Sequence, residues 1–259
     1  MATRGPVLGI LGGMGPLATA DFYTKLVKAT PAKRDQDHVP VIIVGDPGVP
    51  DRSEAILGGS TSEVLQALTA GIDRLEYAGV DVIAIPCNTA HYWLDGLRSR
   101  TTRQILSIVE ASLSLVRRRL IEARTITVLA TEGTLRAGIY DRPVARAGLT
   151  LSPPTPDESR VVAEVIARVK GGNVSEAEVL LEEVITSVHQ RSDVILLACT
   201  ELPLAAGERL EHEPWLIDTT AALVDHCLAW IVSRRYSAGH LSAITVSRHK
   251  PDGESNYLS

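Results

Sequence analysis

Two cysteines stand in matching surroundings. Cys87 closes the apolar run of "VIAIPCNTAHYW" (82–93), and Cys199 closes that of "SDVILLACTELP" (192–203). In each, β-forming residues run up to the thiol, and two polar residues follow it: Asn88 and Thr89 in one case, Thr200 and Glu201 in the other. Such residues suit the start of a helix, whose N-terminus lowers a thiol pKa from about 8.5 toward neutrality. A thiolate is a base as well as a nucleophile. One arrangement uses both sulfurs: a thiolate removes the Cα proton of a bound amino acid and a thiol on the opposite face returns one. Backbone N–H groups at the same turns can hold a carboxylate.

The same residues admit other chemistry. Cys87 with His91, or with a more distant histidine, is a possible nucleophile and base for a thiol hydrolase or decarboxylase. As metal ligands, Cys87 and His91 are a two-ligand fragment without a CxxC or HxxxH companion, so no metal site is expected. Gly13, Gly15 and Ala18 satisfy a loose dinucleotide spacing, G-x-G-x-x-A, but the acidic residue expected about twenty positions later is absent, and Asp46 comes too late. A non-catalytic module that holds a dicarboxylic ligand is a further alternative. Cys227, in "ALVDHCLAW", lies on an apolar helical face and is expected in the core.

Around the thiols, continuous apolar runs at 6–11, 39–44, 80–85, 125–130 and 192–198 predict strands buried on both faces. Helical periodicity covers 17–29, 61–78, 105–123, 157–170, 175–190 and 219–235. This alternation predicts an α/β fold with mostly parallel sheets and right-handed crossovers. "SPPTPDES" (152–159) delivers the chain into a helix. The organisation also repeats: "LGILGGMGP" (8–16) is answered by "TVLATEGTL" (127–135), and "IAIPCNTAH" (83–91) by "ILLACTELP" (195–203). Two similar, pseudo-symmetric α/β domains follow, with each contributing one cysteine to a cleft between them. The expected boundaries are 1–104 plus 217–236 for the N-terminal lobe, 105–216 for the C-terminal lobe, and a loosely ordered tail at 237–259.

Composition narrows the field. The 259 residues are 45% hydrophobic, ample for packed cores, and the net charge of -5 comes without a basic stripe, so no nucleic-acid partner is expected. No apolar span reaches membrane length, and the run at 7–11 breaks at "GGMGP" before signal-peptide length. Three scattered cysteines suit free thiols in a cytoplasmic protein.

Several separate segments, in order, resemble the cofactor-independent aspartate/glutamate racemases, most closely the aspartate racemases: "GILGGMGPLAT", "TPAKRDQDHVPVII", "PDRSEAILG", "IPCNTAH", "LATEGT", "GIYD", "VKGGN" and "ACTELPL", within 7–235. The resemblance implies two like α/β domains with the active site between them, no pyridoxal phosphate or other cofactor, an acidic amino acid as partner, and a homodimer. It assigns Cys87 and Cys199 as the acid/base pair, and Arg52 and Lys170 as the positions that mark a dicarboxylic substrate. Met14, Asn88, Thr89, Thr131, Thr200 and Glu201 fall around that substrate. His91 and Glu201 each lie close in sequence to a thiol and are candidates to orient or deprotonate it; for His91, capping a helix is the alternative.

Overall fold

The structure, a computed structural model, describes residues 5–237. The apolar runs form two four-stranded sheets in which every strand pair is parallel. The first contains β1 (Leu8–Gly12), β2 (Val41–Gly45), β3 (Val82–Ala84) and β4 (Gln104–Leu106), in the order β2-β1-β3-β4. The second contains β5 (Thr125–Leu129), β6 (Thr150–Leu151), β7 (Val194–Leu197) and β8 (Leu216–Asp218), in the order β6-β5-β7-β8. The two orders match strand for strand, so the repeat seen in the sequence is a repeat of topology. The thiols follow equivalent strands, Cys87 after β3 and Cys199 after β7.

Helices cover the sheets. α1 (Pro16–Ala29), α2 (Arg52–Leu57), α3 (Thr61–Tyr77), α4 (Leu94–Arg98) and α5 (Ile108–Arg119) belong to the first half of the chain. α6 (Glu132–Ala137), α7 (Asp141–Arg146), α8 (Pro156–Lys170), α9 (Val174–His189), α10 (Leu202–Ala206), α11 (Arg209–His212) and α12 (Thr219–Ser237) follow. The "SPPTPDES" segment starts α8 through a capping box: Thr155 Oγ1 accepts the Glu158 N–H at 3.2 Å, and Glu158 accepts the Thr155 N–H at 2.8 Å.

Three apolar clusters hold the assembly. One lies on the α3 side of the first sheet and another on the α8 and α9 side of the second. The third runs through both halves, joining Leu8, Ile10 and Phe22 to Ile126, Val128 and Leu196 by way of α5 and α12. Cys227 is fully buried in it. Lys25 of α1 adds a polar tie, reaching Asp218 Oδ2 at 2.7 Å while Asp218 Oδ1 caps α12 on the Thr220 N–H at 2.7 Å. α12 returns the chain to its start, so that Gly5 lies against the Arg235 guanidinium.

The expected helix at 105–123 begins instead as a strand. Ile105 and Leu106 complete β4, and Ser107 then caps α5 on the Glu110 N–H at 3.3 Å. The expected lobe junctions at 104/105 and 216/217 therefore each fall inside a strand. Ile105 and Leu106 pair with the first sheet, while Ile217 and Asp218 pair with the second. Nor is every strand buried on both faces: β2 is an edge strand, and Ile43 is 41% exposed. Residues 238–259, which hold nearly all of the expected tail, lie outside the described residues.

Candidate active site

Parallel strands in register deliver their carboxyl ends, and the loops that follow, to one side of each sheet. After β1 the chain turns through Gly13 at φ +91°, where a Cβ would fall 2.4 Å from the Asp46 backbone. Thr19 fixes this loop by accepting the Gly13 N–H at 2.9 Å and donating to the Gly15 carbonyl at 2.8 Å, and Met14 is buried beside it. After β3, the Cys87 N–H closes a tight turn around Pro86 onto the Ile85 carbonyl at 2.8 Å, and a 3-10 turn at Thr89–Trp93 follows. After β7, the Leu202 N–H returns to the Cys199 carbonyl at 3.0 Å as α10 begins.

A narrow cavity lies where these loops converge. Its walls include Met14, Arg52, Cys87, Asn88, Thr89, Thr131, Lys170, Cys199, Thr200 and Glu201. All ten residues singled out for catalysis or substrate binding therefore share one cavity. Asp51 and Ser53 also line it and escaped the sequence reading, although both flank Arg52 in the quoted "PDRS".

His91 does not reach the cavity. Its Nδ1–H donates to the Cys87 carbonyl at 2.9 Å, and its Nε2 accepts the Ile108 N–H at 3.0 Å, capping the first turn of α5. Both ring nitrogens are spent on backbone, so the ring has none left to take a thiol proton or bind a metal. Burial holds its pKa at about 4. Among the described residues, no three His, Cys, Asp or Glu gather as a metal site.

Polar contacts across the cavity join the two halves. Thr89 Oγ1 lies 2.8 Å from Thr134 Oγ1 and 3.1 Å from Thr131 Oγ1, and the last two are 3.0 Å apart. The Asn88 amide donates to Thr219 Oγ1 at 3.1 Å and accepts the Tyr140 hydroxyl at 2.5 Å. Tyr140, the tyrosine of "GIYD", is a buried support whose role is visible only in three dimensions.

The two thiols differ electrostatically. Cys199 Sγ donates to Glu201 Oε2 at 3.0 Å, and burial with the Glu201 charge holds this thiol well above its ordinary pKa. Burial also raises Cys87, but the Arg52 guanidinium and the Ala90 N–H favour its thiolate. The expected net shift toward neutrality is thus absent at both sulfurs. α10 spans five residues and a 3-10 turn follows Asn88, so neither supplies a long helix dipole to offset lost hydration.

The cations are placed differently too. Arg52 donates to the Val49, Pro50 and Met14 carbonyls, each at 3.2 Å, and keeps a buried Nε without a hydrogen-bond partner among the described residues. Lys170, the last residue of α8, is exposed and has no ion pair there.

Two matched α/β lobes thus enclose one cavity, with a thiol from each lobe and two cations in its walls. The chain belongs to the Asp/Glu/hydantoin racemase family, whose model matches residues 11–227, and is an amino-acid racemase. It is 29% identical over 222 residues to the broad specificity amino-acid racemase RacX of Bacillus subtilis (strain 168), covering 84% of this chain and 94% of the relative. Among solved structures, the Picrophilus torridus aspartate racemase superposes with a TM-score of 0.79 at 32% identity, covering 88% of this chain and 95% of that one. An aspartate racemase homologue from Pyrococcus horikoshii OT3 shares the fold, with a TM-score of 0.69 at 21% identity over 87% of this chain and 98% of the other.

Proposed function

We propose that the protein interconverts L- and D-aspartate, with glutamate or a related acidic amino acid as the lesser substrate, by proton exchange between Cys87 and Cys199. The observation that carries this reading is the convergence of both thiols, from equivalent strands, on one cavity with Arg52 and Lys170. Arg52 offers a planar fork to one carboxylate, and Lys170 a point charge to the other. Cys87, whose thiolate is stabilised by Arg52 and the Ala90 N–H against the larger effect of burial, takes the Cα proton. Cys199, held as a thiol against Glu201, delivers its own proton to the opposite face. The reverse direction exchanges these roles. Fixed N–H groups and the cations stabilise charge that develops on the substrate.

Incubation with a panel of acidic amino acids in deuterated water, without added cofactor, tests this. Solvent deuterium should enter Cα in step with optical inversion. Cys87→Ser and Cys199→Ser should each lose most inversion while aspartate still binds by calorimetry. Inversion without solvent label, or a fully active serine variant, would refute the mechanism. Release of carbon dioxide in place of inversion would transfer the site to a thiol-dependent decarboxylase.

We assign the working unit as a cytoplasmic homodimer. Three free cysteines support the reducing compartment. The exposed Leu17, Tyr23 and Val27 of α1, and Ile43 on the edge strand, offer apolar surface to a second copy. A monomeric mass by light scattering would remove the dimer.

A further inference from the structure

The first turn of α6 touches both segments that carry the chemistry. On one side Thr131 and Thr134 meet Thr89, two residues beyond Cys87. On the other, Gly133 meets Ser53, the residue after Arg52. A Cβ built on Gly133 would lie 2.5 Å from Ser53 Cα, 2.7 Å from its Oγ and 2.8 Å from its Cβ. The nearest atom is main chain, so no change of rotamer relieves the contact. Because packed carbons stand about 3.5–4.0 Å apart, one helix would have to move by roughly an ångström.

α2 is the helix free to move. α6 is capped by Thr131 Oγ1 on the Thr134 N–H at 3.2 Å, and the threonine cluster pins its first turn to the loop after Cys87. α2 has six residues, of which Ala55 alone is buried, and it runs out into Gly58 and Gly59. If α2 shifts, Arg52 shifts with it. Its bonds to Val49 and Pro50 travel along, whereas its bond to the Met14 carbonyl crosses to another loop and must stretch.

We propose that Gly133 is a positioning residue: its bare backbone is the seat for α2, and that seat sets where Arg52 stands relative to Cys87 and the substrate carboxylate. The inference rests on the reading of Arg52 as an anion site of the racemase. Gly133 itself does no chemistry, and it is needed because any side chain there enters the space that Ser53 occupies.

Steady-state kinetics with L- and D-aspartate test the seat. Gly133→Ala should lower kcat/KM on the order of a hundredfold, the scale of a 1 Å misplacement, with most of the loss in KM. Ser53→Val, which crowds the same contact from α2, should raise KM in the same way. It also decides the matter alone if Gly133→Ala does not fold. Adding Ser53→Gly to Gly133→Ala removes two of the three close contacts and should recover part of the lost affinity. An unchanged KM in the folded single variants would overturn the proposal. So would a loss in kcat alone that follows a lowered unfolding midpoint and is not recovered by Ser53→Gly. A wild-type protein that exchanges no Cα proton on any acidic amino acid sinks the racemase reading and the inference with it; normal wild-type exchange with unmoved KM values sinks the inference alone.

Discussion

Lowering the pH from 7 to 4.5 should destabilise the fold chiefly through one fully buried ring, His91. In the folded chain its Nδ1–H is given to the Cys87 carbonyl and its Nε2 lone pair to the Ile108 N–H. A second ring proton would point at that N–H and break the cap on α5. Burial is the main cause that drives its pKa down from 6.5 to about 4; Arg98 adds to it, and the Cys87 carbonyl opposes it. The unfolded ring therefore binds a proton more readily than the folded one. The stabilisation is complete above pH 6.5 and is lost as the pH falls toward 4. A shift of about 2.5 units is worth about 3 kcal/mol when fully expressed, and about 2 kcal/mol of it should be gone by pH 4.5. Urea unfolding followed by tryptophan fluorescence between pH 7 and 4.5 measures this, with His91→Gln as the comparison because glutamine keeps a donor and an acceptor but cannot titrate there. The wild type should lose about 2 kcal/mol more than the variant over that range. His226, also depressed by burial, titrates in both proteins and cancels. Equal pH slopes in the two proteins would refute the argument.

Glu201→Gln removes the carboxylate charge that helps hold the Cys199 thiol up. Cys199 should then ionise at lower pH, and the alkaline limb of the kcat/KM profile should move to lower pH; an unmoved limb would detach Glu201 from this thiol. Arg191→Ala should cost about 2 kcal/mol at pH 7, because it strips a charged partner from the buried Glu158 carboxylate at the start of α8. Burial alone would raise that carboxyl; Arg191, the Thr155 N–H and the Ser187 hydroxyl reverse this and hold it at about 2. Their contribution is present above pH 4.5 and is lost as the pH falls toward 2. The variant should consequently lose less stability than the wild type on acidification from pH 5 to 3 by urea titration.

The long elements and the thiols were legible because their signals are local. A run such as Ile195 to Ala198 reads as a buried strand without knowledge of its neighbours, and Cys87 and Cys199 each follow such a run and precede two polar residues. β4, β6 and β8 were not legible: two or three residues carry no period, and Ile105 and Leu106 fit the helical pattern that continues into α5. The short helices α2 and α6 are set by caps and tertiary contact, and their sequences hold too few turns to show a face. His91 was ambiguous because its partner, the Ile108 N–H, is seventeen residues away and belongs to the next helix. Gly133 was quoted within a motif, yet its need for a bare backbone depends on Ser53, eighty residues earlier, and no local pattern encodes that approach. The direction of the thiol shifts was missed for a similar reason: helix length and water exclusion, which decide it, emerge only from the assembled fold.

The meeting of Gly5 with Arg235 bears on how this protein can be handled. Gly5 precedes the amino end of β1, whereas both sulfurs sit beyond the carboxyl ends of their strands. A fluorophore or surface tether attached through a cysteine introduced at Gly5 or Arg235 would stand on the far side of the sheets from the cavity mouth.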